Sequence, residues 1–445
     1  MNSKINASFL KKIGIIYCIS LIPIFSNVLY AQWNNVNTGP IQGLFNCVYF
    51  VNKDTGYAVG KDAEKNNELI LKTTDGGLTW TKQTFGIQGG NFSSVYFINT
   101  DTGFVVGSDD FTSDGIILKT INGGTNWVRQ TTGISYGFLS SIQFVNATTG
   151  YASGYEKYSY GNTPIILKTN DGGLTWVKKS TLIQKGYLNA LSFPQADTGY
   201  AVGADYNYSN RIGMVKTVDA GNTWTQLKTD IKNPGDLYGV SFINALTGFA
   251  VGMNTWYELL ILRTLDGGEH WTEQTIPITD GGTLYSVQFI DQNTAFACGS
   301  MLNNKGGLIF KTSDCGKHWH QLNCTMINGA LYSIHFINPN DGYVAGFSSD
   351  TCVMISTSTG GVSISQTLLP VSNISVYPNP TFDVLKINSM QSTINSVVIL
   401  DVYGKELIRK INQPNEIYIG ELPAGIYFLQ IFTEKGMINQ KFVKK

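Results

Sequence analysis

The chain has 445 residues, of which 42% are hydrophobic, 12% aromatic and only 14% Asp, Glu, Lys or Arg, with 48 glycines. Such a composition excludes a disordered chain, a long coiled coil and a charge-stabilised helical solenoid, and points to β-structure rich in tight turns. Lys plus Arg and Asp plus Glu both total 31, so no basic surface is available to track a phosphate backbone and nucleic acid is not an expected partner.

At the amino terminus Lys4, Lys11 and Lys12 precede an apolar run, Ile13 to Phe25, that gives way to Leu29-Tyr30-Ala31. This is the three-part form of a secretory signal peptide over residues 1–31, cleaved after Ala31. A membrane anchor is the alternative, but a span needs about 20 apolar residues and Pro23 interrupts this shorter run. No later stretch is apolar enough to span, so the mature chain is expected to have no transmembrane segment. Beyond Cys18 it keeps Cys47, Cys298, Cys315, Cys324 and Cys352. The odd count leaves at least one thiol unpaired, and no pairing follows from spacing alone. No cysteine or histidine cluster has metal-ligand spacing, so no metal or cofactor is expected.

A repeat follows. The segments KTTDGGLTW, KTINGGTNW, KTNDGGLTW, KTVDAGNTW, RTLDGGEHW and KTSDCGKHW end at Trp80, Trp127, Trp176, Trp224, Trp271 and Trp319, at spacings of 47 to 49 residues. A second block upstream, as in VYFVNKDTGYAVG, ends at Gly60, Gly107, Gly154, Gly203, Gly252, Gly299 and Gly346, seven blocks against six full boxes. The seventh box survives as Ser356 to Gly361 without a tryptophan. Trp33 lies 47 residues before Trp80, in register, so the first strand of the mature chain is expected to complete the seventh unit. A ring closed between its ends has no exposed sheet edge. Each unit reads as four strands, in the first Asn46 to Val51, Thr55 to Gly60, Leu69 to Thr73 and Thr79 to Gln83. The fold class is therefore all-β: a seven-bladed β-propeller over residues 32–370, followed by a small β-sandwich.

The box resembles the Asp-box, or bacterial neuraminidase repeat, in its Ser/Thr-x-Asp-x-Gly-x-x-Trp core. The resemblance implies a structural turn away from any active site, carried here by Asp75, Asn122, Asp171, Asp219, Asp266 and Asp314. Asp54, Asp101 and Asp197, each before Thr-Gly, read as turn residues on the same face. The opposite face is built by the loops between second and third strands and by the connections between blades, which vary most. These loops present Tyr155, Tyr158 and Tyr160 in blade three, Tyr206 and Tyr208 in blade four, and Trp256 and Tyr257 in blade five. Aromatic side chains set among Asn and Gly suit sugar faces or peptide surfaces, and the alternative is that they pack over the blades beneath.

Sialidase chemistry needs an arginine cluster, and residues 32–370 hold only Arg129, Arg211 and Arg263. Glycoside hydrolysis needs two carboxylates about 5 to 10 Å apart. Asp236 and Asp280, read as lying in connections to inner strands, are the candidate pair for that alternative. The histidines, His270, His318, His320 and His335, form no metal spacing or triad.

Residues 371–445 lack the box. Their Tyr377-Pro378-Asn379-Pro380, Asp401 through Lys405, Leu422-Pro423-Ala424-Gly425-Ile426-Tyr427 and basic end Lys441 to Lys445 resemble the type A sorting domain of the type IX secretion system of the Bacteroidota. That resemblance implies export across both membranes, the secretion machinery as a partner, and a secreted or outer-membrane surface location. The repeat also resembles the photosystem II assembly and stability factor family, whose assembly role is not carried over because its basic patch has no counterpart here. The expected function is a non-catalytic binding or adhesion propeller recognising polysaccharide or protein; the alternative is a glycoside hydrolase.

Overall fold

The structure is a computed structural model. It describes residues 33–64, 67–85, 90–207, 211–276, 281–322, 324, 327–360, 374–389, 393–401, 406–411, 415–433 and 436–445. The signal-peptide reading of residues 1–31 lies outside these, as do Tyr208, Asp280 and Tyr403-Gly404-Lys405. Contacts divide the chain into two compact units, Met1–Ser363 and Ile364–Lys445. The boundary expected after residue 370 lies in 361–373, outside the described residues.

The first unit is a seven-bladed propeller of four-stranded antiparallel sheets. Blade one comprises Gly43–Phe50, Gly56–Asp62, Asn67–Thr73 and Thr81–Lys82. The innermost strands of blades two to seven are Gly90–Phe97, Gly137–Phe144, Gly186–Ser192, Gly235–Phe242, Gly282–Phe289 and Gly329–Phe336. Asn34 and Asn35 pair with Ser356 and Ile355, forming the fourth strand of blade seven, and Trp33 is buried beside Phe336.

The innermost strand of blade one starts at Gly43, three residues before the Asn46 that the hydrophobic alternation predicts, because a bulge interrupts its ladder and pairing resumes beyond it, and the innermost strands of the other six blades carry the same bulge. In blade one the register shifts between Phe45 and Cys47, which leaves Asn46 unpaired. The bulge also explains the glycine that ends the TGYAVG block. A Cβ at Gly60 would stand 2.0 Å from the Leu44 carbonyl oxygen, and the equivalent glycines meet the same obstruction.

Packing is between blades. Phe50, at the end of the first innermost strand, stacks on Tyr343 of blade seven at 3.8 Å and meets Trp80 of its own blade edge-on at 5.9 Å. The same sandwich recurs at Tyr57–Phe97–Trp127, Tyr151–Phe193–Trp224 and Tyr200–Phe242–Trp271. Each interface therefore buries three large aromatic faces and carries most of its apolar stabilisation there.

The second unit has a three-stranded sheet (Ile374–Tyr377, Val384–Ser389, Glu416–Tyr418) and a four-stranded one (Glu406–Ile411, Ile394–Leu400, Gly425–Thr433, Gly436–Lys444). Leu385, Ile387, Val397, Ile399, Ile417, Leu429 and Phe442 form its core. No helix among the described residues is long and apolar enough to cross a membrane.

Candidate binding face

The box turns are filled by their own hydrogen bonds. Asp75 Oδ1 accepts from the Thr79 amide at 2.9 Å and Oδ2 accepts from the Thr79 hydroxyl at 2.6 Å. Asp171 and Asp219 repeat this with Thr175 and Thr223. In blades five and six His270 and His318 take the threonine's place, with Nδ1 at 2.8 and 2.6 Å from Asp266 and Asp314. Asn122 keeps the amide contact through its one oxygen, to Asn126 N at 2.9 Å. These donors hold the carboxyls of Asp171, Asp219 and Asp266 down at about 2, and those of Asp75 and Asp314 below the usual range.

The turns before the second strands lie against the boxes, the Gly76 amide donating to the Asp54 carbonyl at 2.8 Å. Their organising side chain is not Asp54 but Asn52, whose Oδ1 accepts from the amides of Asp54 and Thr55 at 2.9 and 2.8 Å. Asn99, Asn146 and Asn244 do the same in blades two, three and five. An Asn side chain that accepts from the amides two and three residues on closes an Asx-turn, and Asn three places ahead of Thr-Gly in these four blades was the available signal.

The histidine on the seventh innermost strand is equally structural. His335 Nε2 donates to the Phe50 carbonyl at 3.1 Å, and burial lowers its pKa to about 4, so it is neutral at physiological pH. Tyr49, Tyr96, Gln143 and Gln288 occupy the same strand position and reach the next blade's carbonyl in the same way.

On the opposite face a second buried series opens the variable loops, and spacing alone would have exposed it. Asp62, Asp109 and Asp205 end their second strands, Glu156 stands two residues before the end of its own, and the four are met from the fourth strand by Lys82, Arg129, Gln226 and Lys178 respectively. Asp109 Oδ1 also accepts from the amides of Phe111 and Thr112, fixing the loop it begins.

Above this series lie the aromatic side chains. A groove of about 580 Å³ between blades two and three is lined by Tyr136, Phe138, Tyr155, Lys157 and Tyr158. A second, of about 770 Å³ along blade three, is lined by Tyr158, Tyr160 and the connection through Gln184. Tyr158 belongs to both. Its ring stacks on Tyr160 at 5.4 Å and 5°, and its hydroxyl donates to Glu156 at 2.6 Å. Tyr155 instead packs over its blade, stacked on Phe138 at 6.0 Å. Tyr206 stands apart from this group, edge-on to Tyr187 at 5.6 Å and beneath the Arg211 guanidinium. Trp256, 71% exposed, and Tyr257 project from the blade-five turn whose acceptor is Asn254. The structure therefore brings together Tyr155, Tyr158 and Tyr160, with Tyr136 and Phe138 added, and sets Tyr206, Trp256 and Tyr257 apart from that cluster, Tyr208 lying outside the described residues.

Asp236 is not in a connection. It is the second residue of the innermost strand Gly235–Phe242, opposite Met253, and only 8% exposed. Its Oδ2 accepts from Arg211 at 3.0 Å and from Tyr187 at 2.8 Å, a clamp that commits the side chain to the blade interface. With Asp280 outside the described residues, no pair separation is defined. Among the described residues no group of three or more His, Cys, Asp or Glu is placed to hold a metal ion, and the five described thiols, Cys47, Cys298, Cys315, Cys324 and Cys352, are free.

Comparison with known proteins follows the same division. Residues 375–445 match the secretion system C-terminal sorting domain, and residues 25–135 match the photosynthesis system II assembly factor YCF48 family. A sorting domain of this kind marks a secreted or cell-surface protein. No curated protein matches the chain. Among solved structures it is similar to YCF48 bound to a D1 peptide, with a TM-score of 0.57 and 18% identity over 74% of this chain and 98% of that one. YCF48 from Cyanidioschyzon merolae gives a TM-score of 0.54 and 19% identity over 73% and 98%. PorZ, a surface component of the type-IX secretion system of Porphyromonas gingivalis, gives 0.50 and 15% over 92% of this chain and 60% of its own. At these identities the likeness is one of fold.

Proposed function

We propose that the chain is a non-catalytic binding or adhesion propeller. On this reading residues 1–31 direct it across the inner membrane and the type IX machinery takes it across the outer one by residues 371–445. Residues 32–370 then recognise a polysaccharide or a protein through the aromatic loops of blades three to five. The observation that carries the reading is the pair of grooves meeting at Tyr158, on the face whose loops differ most from blade to blade. The secreted or surface location indicated by the sorting domain gives such a face access to external polymers.

The test is a glycan array and a reducing-sugar assay on the full chain. Binding without turnover is expected. Turnover that disappears in Asp236→Asn would overturn the proposal in favour of glycoside hydrolysis. Binding that survives Tyr158→Ala and Trp256→Ala would overturn the choice of surface.

A further inference from the structure

We infer that the groove shared by blades two and three takes an extended, uncharged polysaccharide whose sugar rings lie on Tyr158 and Tyr160. This rests on the binding reading above and names its ligand class.

Length comes first. Cavities of about 580 and 770 Å³ meet at one side chain, Tyr158. Either alone is sized for a small ligand, about 300–1,000 Å³, and two in series suit a chain that continues from one into the other.

Charge comes second. The lining holds three acids, Asp109, Asp110 and Glu156, and three lysines, Lys157, Lys178 and Lys179. Each acid is already ion-paired, Asp109 with Arg129 at 2.9 Å, Asp110 with Lys61 at 2.8 Å, and Glu156 with Lys178. No carboxylate is left to select a basic peptide. The one guanidinium nearby is taken by Asp109, so no bidentate fork remains for a sulfate or carboxylate, and Lys157 and Lys179, which pair with none of these acids, are single ammonium groups that can donate to sugar hydroxyl oxygens. The outer strand bordering the groove, Val177–Lys179, is three residues long, too short an edge to hold a peptide as an added strand.

Preorganisation comes third. Glu156 is buried and holds the Tyr158 hydroxyl while Lys178 holds Glu156, so the platform is set before a ligand arrives. The ring faces of Tyr158 and Tyr160 are parallel to within 5°, and both side chains are exposed. Flat apolar rings with hydroxyl rims match the C–H face and hydroxyl edge of a pyranose.

Tyr136 adds an independent sign. It sits in the left-handed region at φ +51°, where blade six has Gly281 at φ +72°. Its backbone is pinned, the Lys157 amide donating to its carbonyl at 2.6 Å, yet the side chain is 65% exposed in the groove. A bulky residue kept in a glycine conformation without packing in return marks a position held for contact with a ligand.

The experiment probes the full chain with an array of neutral plant, fungal and algal oligosaccharides and, in parallel, a random-sequence peptide array, followed by calorimetric titration of hits. Neutral oligosaccharides of several units are expected to saturate the wild type. Tyr160→Ala should lose at least tenfold in affinity with an unchanged melting temperature. Tyr136→Gly should lose several-fold in affinity while melting no lower than wild type, a split that a merely structural tyrosine would not give. Oligosaccharide binding that neither substitution alters overturns the groove. Peptide binding lost in Tyr160→Ala, with no sugar bound, overturns the ligand class and leaves the binding function standing. Silence on both arrays overturns both.

Discussion

The two faces of the propeller come from the same seven repeats, yet one is used up and the other is not. On the box face the recurring polar residues are occupied by their neighbours: Asp171 by Thr175, Asp314 by His318, the Tyr343 hydroxyl by the Gly76 carbonyl. On the variable-loop face the recurring acids are met from the fourth strand in the same regular way, but the loops beyond them diverge, and only there do tyrosines of the described propeller residues stand in solvent with cavities beside them. Repetition in this chain marks folding chemistry, and departure from repetition marks the candidate site. The thiols follow the rule: burial pushes Cys352 up to about 12 and Cys324 to about 11, which keeps them unreactive.

The comparison can be broken most forcefully at the seam. Trp33→Ala removes a buried indole from the blade six and seven cluster and should cost about 3–5 kcal/mol in chemical denaturation. A loss below 1 kcal/mol would mean that the seventh blade does not depend on its borrowed strand. Glu68 offers an effect of opposite sign. Both its carboxyl oxygens are buried without a hydrogen-bond partner, at a place where blade five has Leu259. Burial raises its pKa, so the fold favours the protonated form and loses stability as pH rises above the unfolded value. Glu68→Leu should therefore stabilise by about 1–3 kcal/mol at pH 7; a destabilised variant would show that the carboxyl has a partner in solution.

The box carboxyls predict a third, smaller effect with the reverse slope. Asp171, Asp219 and Asp266 are held at about 2, below their unfolded value, so their contribution is present above about pH 4 and is lost as pH falls towards 2. Melting temperature should fall across that window, and less steeply in Asp171→Asn. The smallest effect belongs to the other face, where Tyr160→Ala should change stability by no more than about 0.5 kcal/mol. A large loss there would convert the proposed binding surface into packing.

Most of the scaffold was legible because its signals are periodic: the tryptophans at 47 to 49 residues, and Trp33 in register with a box that lacks one. What escaped depends on backbone geometry. The bulge that leaves Asn46 unpaired shifted the start of the first innermost strand, and its counterpart between Leu237 and Gly239 put Asp236 in a buried ladder position instead of a connection. Gly60 read as the end of the second strand, but the close approach to the Leu44 carbonyl that requires a glycine there had no signal in the sequence. Asp54 drew attention for its charge while Asn52 closes the turn. Of the candidate aromatics, Tyr158 and Tyr160 could be picked out as exposed loop residues, but Tyr136 could not, because its importance lies in a φ angle.

The borrowed strand has a consequence for the order in which the fold is completed. Asn35 pairs with Ile355, 320 residues away, whereas the other described strands of the propeller pair with neighbours in sequence. Loop-closure entropy grows only logarithmically, so joining ends that distant costs about 1.7 kcal/mol more than joining ends one blade apart. Burial of Trp33 exceeds that difference. The seam is thus a latch that can be set only after the last blade has formed, and it holds once set.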